Sequence, residues 1–157
     1  MYEELLDLLI QHHGKLATAE SCTGGLLGAA ITDIAGISQV YAGGIIAYEN
    51  EVKNHLLEVP QEVLDRVGAV SEECAGFMAS GAAKTLNCNY AVSTTGIAGP
   101  GGGVPGKPVG TVCIGFYING KVYTETNHFP GSRSEVREQT VKRALSRLQE
   151  LITLRSR

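Results

Sequence analysis

The 157-residue chain lacks an excess of basic charge: 13 Lys and Arg stand against 16 Asp and Glu, a net charge of −3. A broad electrostatic grip on DNA or RNA needs a clustered basic surface, so no nucleic-acid partner is expected. The basic residues between Arg133 and Arg157 read mostly as a solvated helix face. The chain also lacks a CxxC pair. Its four cysteines, at positions 22, 74, 88 and 113, have no metal-like spacing with the four histidines. Cys74, Cys88 and Cys113 sit in apolar neighbourhoods and read as core thiols, which points to a reducing cytosol. No hydrophobic run approaches transmembrane length, and the opening Met1-Tyr-Glu-Glu has no basic n-region. The expectation is a soluble, cytoplasmic protein with no membrane partner and no metal. No internal repeat or long linker divides the sequence, so residues 1–157 are read as one domain, long enough to bury a core.

What is present is an alternation of helical and extended patterns. Tyr2 to His13 reads as an amphipathic helix with Gly14 as its C-cap, and Lys15 to Ala19 as a buried strand. A helix from about Thr23 to Ile34, closed by Gly36, precedes a strand from Val40 to Tyr48. Asn50 is read as the N-cap of a short helix carrying Val52, Leu56 and Leu57, and Pro60 opens another. Ser71 starts a long helix to Leu86, whose small residues imply close packing on a sheet. Tyr90 to Thr95 is a strand, and Val109 to Ile118 with Lys121 to His128 form a hairpin turning at Asn119-Gly120. The last helix runs from about Ser132 to Leu151. Interleaved helices and strands with one late hairpin predict an α/β fold: a three-layer α/β/α domain around a mixed sheet.

Three segments bear on chemistry. Thr18-Ala-Glu-Ser-Cys-Thr-Gly-Gly25 lies at a strand-to-helix junction, where unpaired N–H groups and the positive end of a helix dipole converge. Ser21 there is a nucleophile beside an oxyanion hole, part of an anion cradle, or a plain helix cap with glycines for close packing. In Tyr48-Glu-Asn-Glu-Val-Lys53, the Asn50 cap puts Lys53 third in the helix. The dipole disfavours a cation there, and any burial would add to it, giving a neutral amine able to act as a base. Tyr48, at the end of the preceding strand, would bring its hydroxyl to the same mouth. The third segment, Ser93 to Thr111, is rich in Gly and Pro and long enough to be functional, but it is neither a GxxxxGK[ST] loop nor a Rossmann turn. In the last helix the apolar stripe Val141, Ala144, Leu145, Leu148 and Ile152 continues back through Arg137 and Arg133. Inward-facing guanidinium groups need an anion, either the Glu20 carboxylate or a bound phosphate. The four histidines are isolated and receive no catalytic role.

Together these segments resemble the C-terminal domain of the competence/damage-inducible protein CinA and the stand-alone nicotinamide-nucleotide amidohydrolases called PncC. The matching stretches are Thr18 to Gly25, Thr32-Asp-Ile-Ala-Gly36, Gly44 to Lys53, Gly68-Ala-Val-Ser71, Gly96-Ile-Ala-Gly-Pro100, Lys107 to Thr111, and Phe129-Pro-Gly-Ser-Arg133 with Arg137. Val104-Pro-Gly106 departs from the pattern, since relatives often carry an acidic residue there. The resemblance implies hydrolysis of the carboxamide of nicotinamide mononucleotide to nicotinate mononucleotide and ammonia. It makes Ser21 the nucleophile, Lys53 the base, and Tyr48 a relay or orienting group. The substrate would be held by Cys22, Thr23, Gly24, Gly25, Thr95, Gly96, Gly99, Arg133 and Arg137, with no metal or other cofactor. A small-molecule nucleotide is the expected partner and a homodimer the assembly the resemblance suggests. Two other readings stand beside it: a nucleotide-binding regulatory module without turnover, and a thiol enzyme using Cys22.

Overall fold

The computed structural model describes residues 2–155. One five-stranded mixed sheet has the order β2-β1-β3-β4-β5. Strands β1 (Leu16–Glu20), β2 (Tyr41–Ile46) and β3 (Tyr90–Gly96) run parallel, with β1 in the middle. Strands β4 (Thr111–Ile118) and β5 (Lys121–His128) extend the sheet antiparallel as the expected hairpin. Strand alternation sorts the core into two halves. Leu16, Val92, Val112, Ile114 and Phe116 face one side, where α1 (Glu3–Gln11), α2 (Leu26–Thr32) and α6 (Arg133–Arg155) bury Leu5, Leu9, Leu27, Ile31, Leu145 and Leu148. Ala17, Ala19 and Ala91 face the other, under α3 (Asn50–Leu57), α4 (Gln61–Arg66) and α5 (Glu72–Thr85). The result is the three-layer α/β/α architecture expected from the sequence.

Small residues let α5 lie close. A Cβ on Gly115 of β4 would sit 2.2 Å from the Ala75 carbonyl, and one on Gly81 would sit 2.0 Å from the carbonyl of Leu57 at the end of α3. The obstacle at Gly81 is backbone and cannot rotate away. Gly81→Ala is therefore expected to lose about 1–3 kcal/mol of stability, the usual cost of overpacking, despite the better helix propensity of alanine. Urea denaturation measures this directly, and an unchanged or raised midpoint would contradict the packing described.

Several boundaries differ from the sequence reading. Helix α2 starts at Leu26, because Gly24 and Gly25 take φ of +55° and +107° and keep Ser21 to Gly25 as a turn. It ends at Thr32, and Gly36 instead leads into a 3-10 turn, Ile37–Gln39. The left-handed residue after α1 is His13, while Gly14 is a glycine because a Cβ would meet the Tyr90 ring at 2.7 Å. Strand β2 stops at Ile46, short of Tyr48. Asn50 is the first helical residue of α3 and Glu49 the cap, so Lys53 is fourth rather than third.

The crossovers position the site. The β1–β2 connection runs through α2 on one face, and the β2–β3 connection runs through α3 to α5 on the other. Where neighbouring connections leave a parallel sheet on opposite sides, a crevice opens outside the carboxyl ends of the strands. Here that is the end carrying Ser21, Tyr48 and Gly96.

Candidate active site

A pocket of about 210 Å³ occupies this crevice, lined by Ser21, Cys22, Tyr48, Asn50, Lys53, Ala69, Val70, Thr95, Gly96, Ala98 and Arg133. Drug-sized ligands usually sit in pockets of about 300–1,000 Å³. At this volume the pocket would enclose only part of a drug-sized molecule. A larger groove of about 470 Å³ between α5 and β5 is mostly apolar and lies away from the carboxyl ends of the parallel strands.

Ser21 follows the last residue of β1 and is 8% exposed. Its N–H donates to the Thr94 carbonyl at 3.0 Å and its carbonyl accepts from Gly24 N at 3.2 Å, so backbone bonds fix the turn and the hydroxyl is left to the pocket. Directly behind, the Glu20 carboxylate swings under the turn and caps α2. Its Oε1 accepts from Thr23 Oγ1 (2.6 Å), Gly25 N (3.1 Å) and Leu27 N (2.8 Å), and its Oε2 accepts from Gly28 N (2.9 Å). Because the single Thr23 proton goes to Glu20, the Thr94 hydroxyl donates to Thr23 Oγ1 at 2.8 Å. The anion cradle anticipated at this junction is thus occupied by the protein's own carboxylate. Thr23, Gly24 and Gly25 build the turn and do not line the pocket.

Lys53 is 1% exposed. Its Nζ donates to the Tyr48 carbonyl at 2.8 Å, closing α3 back onto the segment that precedes it. Burial lowers its pKa from the ordinary value of 10.5, opposed in part by the nearby Cys74 and Cys22 side chains. Those sulfurs give it little counter-charge: burial pushes Cys74 up to about 11 and Cys22 up to about 12. The pKa moves in the expected direction, and its largest cause is desolvation, the burial expected to add to the effect of the helix start. Tyr48 contributes its carbonyl to Lys53, while its ring is 63% exposed at the mouth. The hydroxyl of Thr95 donates to the Ala69 carbonyl at 2.9 Å and ties the end of β3 to the loop before α5.

The arginines separate. A capping box starts α6: Glu135 N donates to Ser132 Oγ at 3.3 Å, and Ser132 N donates to Glu135 Oε1 at 2.8 Å. Arg133 therefore opens the helix, exposed on the pocket rim, with Nη1 on the Gly99 carbonyl at 2.8 Å. Arg137, one turn further on, is half-buried and faces inward as the stripe requires, but it stands outside the pocket lining. Its Nε donates to Cys22 O at 3.1 Å and its Nη2 to Thr23 O at 2.9 Å. Neither arginine pairs with Glu20, the structural partner considered for them. Gly99 lies beneath the rim and takes part through its carbonyl.

The pocket thus gathers Ser21, Cys22, Tyr48, Lys53, Thr95, Gly96 and Arg133 from the expected set. Sequence reasoning missed Asn50, Ala69, Val70 and Ala98 as lining residues. Asn50 carried a signal as a polar residue at the helix start, and the apolar three carried one only as members of the matching stretches Gly68–Ser71 and Gly96–Pro100. Cys22 is 7% exposed and packs into the core beneath the turn. With its thiol pushed up to about 12 it is protonated at neutral pH, which removes the thiolate that a thiol enzyme needs. Iodoacetamide at pH 7.5 is expected to leave Cys22 unmodified by mass spectrometry of its peptide. Rapid alkylation there would reopen the thiol reading.

A parallel-sheet crevice holding a buried lysine and a serine turn defines the class of site. The family model of the CinA C-terminal domain matches residues 1–152. This chain belongs to that family. A competence-damage inducible protein of Clostridium botulinum (strain 657 / Type Ba4) is 47% identical over 143 residues, covering 91% of this chain and 35% of that protein. This chain spans about a third of the length of such curated relatives. Among solved structures, a CinA superfamily protein from Enterobacter cloacae superposes with a TM-score of 0.93 at 33% identity, covering 96% of this chain and 89% of that one. The competence/damage inducible protein CihA from Agrobacterium tumefaciens gives 0.87 at 42% identity, covering 96% and 94%. No helix among the described residues is long and apolar enough to cross a membrane.

Proposed function

We propose that this chain hydrolyses the carboxamide of nicotinamide mononucleotide through Ser21, with Lys53 as base. The observation that carries the reading is a fully buried lysine, its pKa lowered by desolvation and no carboxylate among the groups that shift it, lining the same small pocket as a serine. A cation is costly to bury without an anion, and a base in a nucleophilic site is a use that repays that cost. In the proposed reaction the neutral Lys53 amine takes the Ser21 proton as Oγ attacks the carboxamide carbon. The turn amides hold the oxyanion that forms. The Lys53 ammonium then protonates the departing nitrogen, which leaves as ammonia, and an ester remains on Ser21. Water, deprotonated by the same amine, attacks the ester and releases nicotinate mononucleotide. The Tyr48 carbonyl accepts one Nζ hydrogen throughout and keeps the amine aimed.

The shape of the pocket supports this substrate. Ala69, Val70 and Ala98 offer apolar surface for a flat ring, and the exposed Tyr48 ring offers a π face to the cationic pyridinium. The phosphate then falls at the rim, where Arg133 is the exposed cation. Ammonia release measured with the mononucleotide, its dephosphorylated riboside and free nicotinamide tests the reading. The mononucleotide should be turned over fastest. Binding of the mononucleotide without ammonia from any of the three would make the site a regulatory binding module instead.

A further inference from the structure

The turn that carries Ser21 is gripped from two sides. Beneath it, the Glu20 carboxylate takes the Thr23 hydroxyl and the amides of Gly25, Leu27 and Gly28. Above it, the Arg137 guanidinium takes the carbonyls of Cys22 and Thr23. The Gly24 amide is committed to the Ser21 carbonyl. Outside these bonds stand the amides of Cys22 and Thr23, next to the serine. The Cys22 carbonyl and the Thr23 N–H belong to one planar peptide unit. A cation on the carbonyl side fixes that plane and polarises its N–H, since hydrogen bonds in series strengthen one another.

Arg137 is an unusual residue for this task. A half-buried guanidinium normally answers a carboxylate or a phosphate, yet no carboxylate lies within ion-pair distance of it among the described residues. Two of its donors go to neutral carbonyls 115 and 114 positions away in sequence. No carboxylate of the described residues therefore neutralises its positive charge behind the turn. Negative charge developing at the turn during the reaction would supply a counter-charge.

We infer that Arg137 is a positioning residue of the oxyanion-binding turn and not a ligand of the substrate phosphate. It holds the Cys22–Thr23 segment in place through both carbonyls and so fixes the Cys22 amide, the turn N–H of a pocket-lining residue, where charge develops when Ser21 adds to the carboxamide. Phosphate recognition falls to Arg133 alone. This inference rests on the amidase reading above.

The test compares Arg137→Ala, Arg137→Lys and Arg133→Ala on nicotinamide mononucleotide and on its riboside, by steady-state ammonia release. Arg137→Ala should lower kcat on the order of 10–100-fold on both substrates alike, with KM nearly unchanged, because loss of a direct oxyanion donor costs about 10²–10³ and this residue acts through one. Lysine cannot reproduce the two-carbonyl fork, so Arg137→Lys should recover little. Millimolar guanidinium, far below denaturing levels, should restore part of the kcat of Arg137→Ala. Arg133→Ala should raise KM for the mononucleotide and spare the riboside. A KM effect of Arg137→Ala confined to the phosphorylated substrate would overturn the inference, as would an unchanged kcat. So would a kcat loss that guanidinium leaves untouched while the melting temperature falls, since that marks a role in the fold alone. Wild-type protein that releases no ammonia from either substrate would sink the amidase reading, and this inference with it.

Discussion

Ser21→Ala is expected to release ammonia from nicotinamide mononucleotide on the order of 10⁴–10⁶ times more slowly than wild type, the loss typical of removing a nucleophile that works with its base as a unit. Its stability should change by less than about 1 kcal/mol, because none of the hydrogen bonds that build the turn passes through the hydroxyl. The backbone of residue 21 makes those bonds, and alanine keeps it. Substrate binding should survive as well, since the rim arginine and the apolar walls are untouched. The measurement pairs initial rates with calorimetric binding of the mononucleotide to the variant. Turnover within tenfold of wild type would remove Ser21 from the chemistry, and with it the serine mechanism.

Lys53→Met should be inactive and, at neutral pH, more stable than wild type. The sign follows from linkage. Burial lowers the pKa of Lys53 from 10.5, so between the lowered value and 10.5 the unfolded chain binds more protons than the folded one. The stability of the wild type therefore rises with pH across that window, and below it the cost of burying the charge is present in full. Methionine fills a similar volume without charge and escapes that cost. The Tyr48 carbonyl loses a donor, but it lies in an exposed segment where water can replace it. Thermal melts from pH 6 to pH 10 should show the variant ahead at the acid end, with the gap closing toward the alkaline end. Lys53→Arg should be as inactive as Lys53→Met, since a guanidinium stays protonated at working pH, and general-base catalysis is worth about 10²–10⁴ in rate. An arginine variant with near-native turnover would leave residue 53 an electrostatic role only.

Much of this arrangement was legible in the sequence, and the residues show why some was not. Apolar runs, helical spacing and turn residues located the five strands and six α-helices of the described residues, including β1, β3 and β4, which are buried on both faces. The α6 stripe correctly turned Arg137 inward. Its partners were invisible, because two carbonyls in a distant turn leave no mark on local pattern. Arg133 follows the same stripe yet is exposed, because it is the first residue of α6 and its guanidinium turns to the Gly99 carbonyl at the pocket rim. Asn50 is a strong cap former, but the chain turns one residue earlier at Glu49, in extended conformation with φ −79° and ψ 152°. That shift carries Lys53 one position along, and its pKa is lowered by burial that only the packed layers create. Glu20 was weighed as an arginine partner. It bends forward to the α2 amides instead, because Gly24 and Gly25 bring the start of that helix back over it.

The Asn119-Gly120 turn stands at the other end of the sheet. Asn119 accepts from Asn89 Nδ2 and donates to the Tyr90 hydroxyl, both at the start of β3, whereas the site begins where β3 stops at Gly96. Seven residues of strand, about 23 Å of rise, separate the two. A Cβ on Gly120 would meet nothing within 4 Å. That tip is the natural handle of the molecule: a fluorophore, a surface tether or a pair of relocated chain ends attached there would leave the crevice facing open solvent, and no element that shapes the pocket would have to move.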